Sequence, residues 1–283
     1  LRGMLPDQLL LGNGSDEVLD LLFRVFCEPG KDAVITLPPT YGMYGVLAGI
    51  NNVENIEVPL SGDFQPDVAG ILRQSGPRTK LLFMCSPNNP TGNLMEQSRV
   101  LELLAHFPGL VVIDEAYIDF ASGASFVPLL DRYPGLVVTQ TLSKAYGMAG
   151  IRLGICMANP SVIGYLKRIK PPYNVNGLSQ QAALEALSDP GRVTAMVKEL
   201  KGERQRLWEA LGSIRIVRER FPSDANFILV RVDDAPLRYA QLLEKGIVVR
   251  DRSGQMHCEN TLRLTVGTPE ENRVLIRTLE ALE

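Results

Sequence analysis

Lys144 ends the run Leu136-Val-Val-Thr-Gln-Thr-Leu-Ser-Lys144 and opens a small-residue turn, Ala145-Tyr-Gly-Met-Ala-Gly, that leads to Arg152. An unpaired ammonium behind a buried strand is costly or loses its proton. A partly desolvated lysine near another cation has a lowered pKa and forms a Schiff base with an aldehyde. Hydroxyls at Thr141 and Ser143 and the guanidinium of Arg152 suit a phosphate. The aldehyde that matches all four is pyridoxal phosphate.

Other segments carry residues that fit the same chemistry. Asp114 closes the apolar run Leu110-Val-Val-Ile. A carboxylate there needs a cation, and a protonated pyridine nitrogen is one. Magnesium or a turn cap are the other readings. Gly12-Asn-Gly14-Ser15-Asp16-Glu17 opens a helix, with Ser15 as the expected N-cap. Free backbone N–H groups in that turn bind phosphate if the two acids turn aside; otherwise it is an ordinary capped helix. Ser86-Pro-Asn-Asn-Pro-Thr-Gly92 is too prolyl to continue a strand. Its Asn89 could donate to the ring's phenolic oxygen, as could Tyr117; a rigid turn is the plainer reading. Tyr41 could stack on the pyridine face or serve as a core aromatic. Arg263 alternates onto the face of Thr261 and Thr265, where it suits a bidentate carboxylate clamp or a solvated surface. Arg250 could take a second anionic group.

These residues need elements to position them. Strands are expected at Ala33–Leu37, Asn55–Pro59, Lys80–Cys85, Leu110–Asp114, Leu136–Gln140 and Arg152–Ala158. Helices are expected at Tyr41–Ile50, Gln65–Gln74 and Glu96–His106. Such alternation predicts a mostly parallel sheet covered on both faces, with ligands beyond the strands' C-terminal ends. Ser86–Thr91, Asp114–Tyr117 and Thr141–Lys144 all follow strands and so converge on one edge. After Pro171-Pro172 the texture changes. Helices are expected at Leu178–Leu187, Val193–Leu211 and Pro236–Lys245, and strands at Ile214–Arg218, Phe227–Val232, Ile247–Arg250 and Thr261–Val266. A last helix is capped by Thr268-Pro-Glu-Glu271. The expected organisation is an α/β large domain, 1–172, and a smaller α+β domain, 173–283.

Bulk properties narrow the class. A chain of 283 residues with 22% charged residues and a net charge of -3 can bury a large core, and it argues against nucleic acid or anionic membranes as partners. No apolar stretch is long enough to span a bilayer. Four scattered cysteines without a C-x-x-C pair fit a reduced, cytoplasmic protein. Two histidines and no His/Cys cluster argue against zinc. No G-x-S-x-G elbow and no G-x-G-x-x-G follow a strand, which argues against a Ser-His-Asp hydrolase and a nucleotide-binding dehydrogenase. The start, Leu1-Arg-Gly-Met, lacks an initiator methionine and a signal-peptide pattern and reads as an entry partway through an element.

Asn13-Gly-Ser-Asp-Glu, Pro39-Thr-Tyr-Gly-Met-Tyr, Ser86-Pro-Asn-Asn-Pro-Thr-Gly, Asp114-Glu-Ala-Tyr, Thr141-Leu-Ser-Lys-Ala-Tyr and Leu262-Arg-Leu-Thr-Val-Gly-Thr together resemble the histidinol-phosphate aminotransferases. These are pyridoxal-phosphate enzymes of the aspartate aminotransferase fold. The resemblance runs in order from about Leu11 to the C-terminus. It implies Lys144 as the Schiff-base lysine and proton shuttle, and Asp114 as the pyridinium partner. It implies Asn89 and Tyr117 at the ring oxygen and Tyr41 on the ring face. Gly14, Ser15, Asp16, Thr141, Ser143 and Arg152 fall at the cofactor's phosphate side. Arg263 corresponds to the α-carboxylate arginine, and Arg250, in Ile-Val-Val-Arg-Asp, to the distal phosphate. It further implies amino and keto small-molecule substrates, histidine biosynthesis and a homodimer. Family members carry an N-terminal segment, with a tyrosine that reaches the neighbouring subunit's cofactor, which lies outside this sequence; pocket closure and part of the dimer contact are expected to depend on it. An aromatic amino acid aminotransferase, a threonine-phosphate decarboxylase, or a shortened form that binds cofactor without turnover would share nearly every motif.

Overall fold

A computed structural model describes residues 3–283; Leu1 and Arg2, named above at the chain start, lie outside the described residues. In chain order the first elements are β1 (Leu9–Asn13), α1 (Ser15–Phe26), β2 (Ala33–Thr36), α2 (Met43–Ile50), β3 (Glu54–Glu57), α3 (Val68–Gln74), β4 (Thr79–Cys85), α4 (Gln97–His106), β5 (Leu110–Asp114), β6 (Leu136–Thr141), β7 (Leu153–Ala158) and α5 (Pro160–Ile169). The seven strands form one sheet in the order β1-β7-β6-β5-β4-β2-β3. Pairings from β3 through β6 are parallel, and β7 runs antiparallel to both its neighbours. The mostly parallel sheet is as expected, and its central strands are apolar and buried on both faces.

Two elements were not read from the sequence. β1 runs into Gly12 and Asn13, just before Gly14, and is only five residues long. It buries Leu10 and Gly12 and leaves Leu11 exposed, a period too short to stand out. Helix α5 has Asn159 as its cap, its side chain accepting from the Ser161 N–H at 3.0 Å, with Pro160 in the first turn.

The remaining elements are α6 (Gly177–Ser188), α7 (Pro190–Leu211), β8 (Val217–Arg220), β9 (Phe227–Val232), α8 (Ala235–Glu244), β10 (Arg250–Asp251), β11 (Thr261–Thr265) and α9 (Pro269–Ala281). A second, antiparallel sheet runs β10-β11-β9-β8. Its core comprises Leu207, Ile228, Val230, Leu242, Leu262 and Leu264, closed by Leu275 and Leu279 of α9. Two expected strands are displaced. Residues after α7 continue in tight turns, Ile214 N–H to Leu211 O at 3.4 Å and Val217 N–H to Ile214 O at 3.0 Å, so β8 starts only at Val217. Ile247 N–H bonds back to Leu242 O at 2.9 Å, which holds 247–249 against α8 and leaves two residues for β10.

Candidate active site

Helix α1 begins hard against the sheet. Gly154 of β7 faces Gly12 of β1 and Thr141 of β6, and a Cβ at Gly154 would collide with the Gly14 carbonyl and the Ser15 N–H. The missing side chain lets the N-terminus of α1 meet the end of β6. Ser15 is the first helical residue, not the cap. Gly14 takes the cap position at φ +85° with no side-chain cap bond. The Ser15 hydroxyl therefore lines a cavity instead of closing the helix.

That cavity, about 110 Å³, is walled by Ser15 and Asp16 of α1, Tyr41, Cys85 of β4, Asn89, Asp114 of β5, Tyr117, Thr141 of β6, Ser143, Lys144 and Arg152. Ten residues picked out from the sequence thus meet at one place, at the strands' C-terminal edge. Gly14 adjoins it: a Cβ there would stand 2.5 Å from Arg152 Nη2. Arg263 reaches it through Asn89. Arg250 is exposed, and although it faces Arg263 across β10 and β11 it does not line the cavity. A larger cavity, about 510 Å³, lies between β1, β7 and α6; its wall is mostly apolar, with Gln140, Lys167, Lys170, Asn174 and Gln180 as its polar members, and holds none of the residues picked out from the sequence.

Asp114 is buried. Its Oδ2 accepts from the Tyr44 hydroxyl at 3.0 Å, and its Oδ1 from Thr139 Oγ1 and the Ala116 N–H, each at 3.2 Å. Burial raises its pKa, opposed by those three hydrogen bonds. Among the described residues no Lys, Arg or His lies within ion-pair distance of it. A buried carboxylate at a cavity wall, with no cation in ion-pair distance, is suited to a cationic ligand atom. Tyr44, fully buried, is a functional residue that the sequence reading does not single out. Its ring stacks on Phe83 (5.1 Å), and Phe83 stacks on Phe23 (5.1 Å). The signal was there in Tyr41-Gly-Met-Tyr44, two aromatics three apart at the start of a helix.

The adjacent acid, Glu115, points the other way and accepts from Phe126 N–H (2.6 Å), Ser125 Oγ (2.6 Å) and Gln140 Nε2 (2.7 Å). The two asparagines of the prolyl turn divide similarly. Asn88 is buried, donates to Pro39 O (2.9 Å) and Thr91 Oγ1 (2.8 Å), and pins the turn to the loop that carries Tyr41. Asn89 faces the cavity and accepts from Arg263 Nη1 at 2.5 Å.

Lys144 lines the cavity but is exposed, more open than its place after a buried strand suggests, with Nζ 5.3 Å from the centre of the Tyr117 ring. Its pKa is lowered, first by desolvation and then by the Arg263 charge. Burial raises the pKa of Tyr117 and of Tyr41, so both hydroxyls stay protonated at neutral pH. The Tyr41 hydroxyl donates to Asp16 Oδ1 at 3.1 Å, and Arg152 Nη2 lies 3.6 Å from Asp16 Oδ2. Of the two acids in the first turn only Glu17 turns aside, accepting from the Asn13 N–H (2.5 Å) and Asn174 Nδ2 (2.6 Å). Asp16, against the expectation that both acids turn aside, stays at the cavity wall, where its two carboxylate oxygens are taken up by the Tyr41 hydroxyl and the Arg152 guanidinium. The Thr141 hydroxyl sits 3.0 Å from Ser143 Oγ. No cluster of His, Cys, Asp or Glu with metal-ligand geometry occurs among the described residues. The four cysteines are free and buried.

The set fits pyridoxal phosphate at both ends: an uncompensated carboxylate for a ring cation, and hydroxyls, helix N–H groups and a guanidinium for a phosphate. Comparison with known proteins agrees. The family model described as aminotransferase class I and II matches residues 4–279. The histidinol-phosphate aminotransferase of Flavobacterium johnsoniae is 58% identical, over 97% of this chain and 79% of its own length. The solved histidinol-phosphate aminotransferase of Clostridium acetobutylicum superposes with a TM-score of 0.90 at 25% identity, over 98% of this chain and 84% of that one. That of Sinorhizobium meliloti, solved in complex with pyridoxal-5'-phosphate, shares the fold with a TM-score of 0.88 at 23% identity, over 99% of this chain and 79% of that one. The chain belongs to the class I and II aminotransferases and, within them, to the histidinol-phosphate aminotransferases.

Proposed function

We propose that this protein transfers an amino group between L-histidinol phosphate and 2-oxoglutarate, with pyridoxal 5'-phosphate as cofactor, in histidine biosynthesis. The observation that carries the reading is the pairing, in one cavity, of a lysine of lowered pKa with a buried, cation-less carboxylate. When bound, the cofactor supplies an aldehyde for the amino group and a ring that withdraws electrons from the substrate's Cα.

Each side chain then has a task. Lys144 Nζ would hold the aldehyde carbon at rest and carry the Cα proton in turnover; desolvation and the Arg263 charge both favour its neutral form. Asp114, oriented by Tyr44 and Thr139, keeps the ring nitrogen protonated. Asn89 has its carbonyl oxygen committed to Arg263, which leaves its NH₂ to donate to the ring oxygen beside the Tyr117 hydroxyl. Tyr41, in the cavity wall, would face the ring. The backbone of Gly14, Ser15 and Asp16, with Thr141, Ser143 and Arg152, holds the phosphate. Arg263 would bind the α-carboxylate of the keto acid, and Arg250 the phosphate of the amino donor. Amino donor and keto acceptor use the same residues in opposite directions, a ping-pong cycle.

The same reading takes 1–172 as the cofactor domain and 173–283 as the small domain, two copies as the working unit, and the cytoplasm as the location. Among the described residues no helix is long and apolar enough to cross a membrane. The test is a donor panel with 2-oxoglutarate as acceptor. L-Histidinol phosphate is expected to give the highest kcat/KM, above phenylalanine and tyrosine, and threonine phosphate to release no carbon dioxide. Faster turnover of the aromatic donors, or decarboxylation, would overturn the substrate assignment; no turnover of any donor would point to a cofactor-binding protein.

A further inference from the structure

Arg250 pairs directly with Arg263 across β10 and β11. The ladder continues one step beyond β10: the Arg252 N–H donates to Thr261 O at 2.9 Å. Alternation therefore puts Arg252 on the face shared by Arg250 and Arg263, while Asp251 falls on the other face, where its Oδ1 accepts from the Ser253 N–H at 2.8 Å.

Three guanidinium groups thus gather on one face. Among the described residues none of them has a carboxylate within ion-pair distance. The one hydrogen bond from Arg263 goes to the neutral amide of Asn89. Nε of Arg252 and Nε of Arg263 are both buried without a hydrogen-bond partner. Burial and then the neighbouring Arg250 lower the pKa of Arg252, and Tyr117, at the cavity wall, also acts on it. Buried guanidinium N–H groups without acceptors cost stability unless a ligand supplies them.

The substrates proposed above match that demand. L-Histidinol phosphate has no carboxylate, so its one anion is a phosphate dianion with three terminal oxygens. A single bidentate arginine leaves part of that acceptor capacity unused. We propose that Arg252 is a substrate-binding residue which, beside Arg250 and Arg263, holds the phosphate dianion and sets the preference for phosphorylated over phosphate-free amines. The inference rests on the histidinol-phosphate reading.

The test is calorimetric binding to the cofactor-loaded protein of 3-(imidazol-4-yl)propyl phosphate and of 3-(imidazol-4-yl)propanol, neither of which has an amino group to transfer. Wild type is expected to prefer the phosphate. Arg252→Gln is expected to lose about tenfold or more in affinity for the phosphate and nothing for the alcohol, as suits hydrogen bonds to a charged group. Arg252→Lys, which keeps the charge without the fork, is expected to fall between the two. Its melting temperature and cofactor absorbance are expected to match wild type, which keeps the test valid if the glutamine variant folds poorly. A phosphate preference in Arg252→Gln as large as that of wild type, no loss of it in Arg252→Lys, or equal loss for both ligands, would overturn the role of Arg252 alone. A wild-type protein that bound both ligands equally would overturn the histidinol-phosphate reading, and this inference with it.

Discussion

The Tyr44 hydroxyl donates to Asp114 Oδ2 at 3.0 Å from the top of an aromatic stack that passes through Phe83 to Phe23 in helix α1. The stack fixes the ring and the ring fixes the carboxylate. The orientation of the carboxylate proposed to meet the cofactor nitrogen therefore depends on core packing.

Tyr44→Phe removes one donor from a buried acceptor and is expected to cost about 1–3 kcal/mol of stability. It also frees the carboxylate to rotate, so cofactor affinity should fall. Denaturant unfolding of apoprotein and a cofactor titration check both effects. Unchanged cofactor affinity would mean that Thr139 and the Ala116 N–H suffice.

Asp114 gives a pH signature. Its folded pKa lies above its ordinary value of 3.8, because burial penalises the charge. Below 3.8 both folded and unfolded states are protonated, and the group has no effect. As pH rises from there through the folded pKa, the unfolded state ionises first and stability is lost. Asp114→Asn should therefore stabilise the apoprotein at neutral pH, with a gain that vanishes towards pH 3.8, while weakening cofactor binding. Thermal melts across this range, with and without cofactor, separate the two effects. A variant less stable than wild type at neutral pH without cofactor would contradict the account.

Gly14 tests the phosphate end. Its backbone, at φ +85° and ψ 164°, is one that glycine alone adopts readily, and a Cβ there meets the Arg152 guanidinium. Gly14→Ala should cost about 1–3 kcal/mol in backbone strain. It should also push Arg152 aside, so affinity for pyridoxal phosphate falls while affinity for pyridoxal stays close to wild type. An equal loss for both would place the damage elsewhere.

Much of this site was legible because its chemistry follows strand ends. Asp114, Thr141 and Lys144 each break or end an apolar run, and a parallel sheet brings such ends to one edge. Local roles were less legible. Ser15 looks like a cap, yet Gly14 takes that place because Gly154 lets the helix start too close to the sheet for a capping side chain. Tyr44 looks like core and is core, but its hydroxyl is the part that matters. Arg252 sits beyond a two-residue strand whose register no hydrophobic pattern announces.

The contact of Arg263 with Asn89, 174 positions away in sequence, links its proposed substrate role to the proposed cofactor role of Asn89. Arg263→Ala should raise KM for carboxylate substrates and, by releasing Asn89, shift the cofactor's visible absorption band. Arg263→Lys should keep much of the charge but not the band, since lysine lacks the planar fork. Absorbance spectra and KM values for 2-oxoglutarate check this. A band unmoved in both variants would show that Asn89 needs no partner.

The central claim is that Lys144 holds the cofactor. Borohydride reduction of the cofactor-loaded protein, followed by digestion and mass spectrometry, tests it most directly. The account predicts one modified peptide, containing Lys144, and no modified peptide in Lys144→Ala. A covalent adduct that persisted in Lys144→Ala, or that formed on another lysine in wild type, would contradict it.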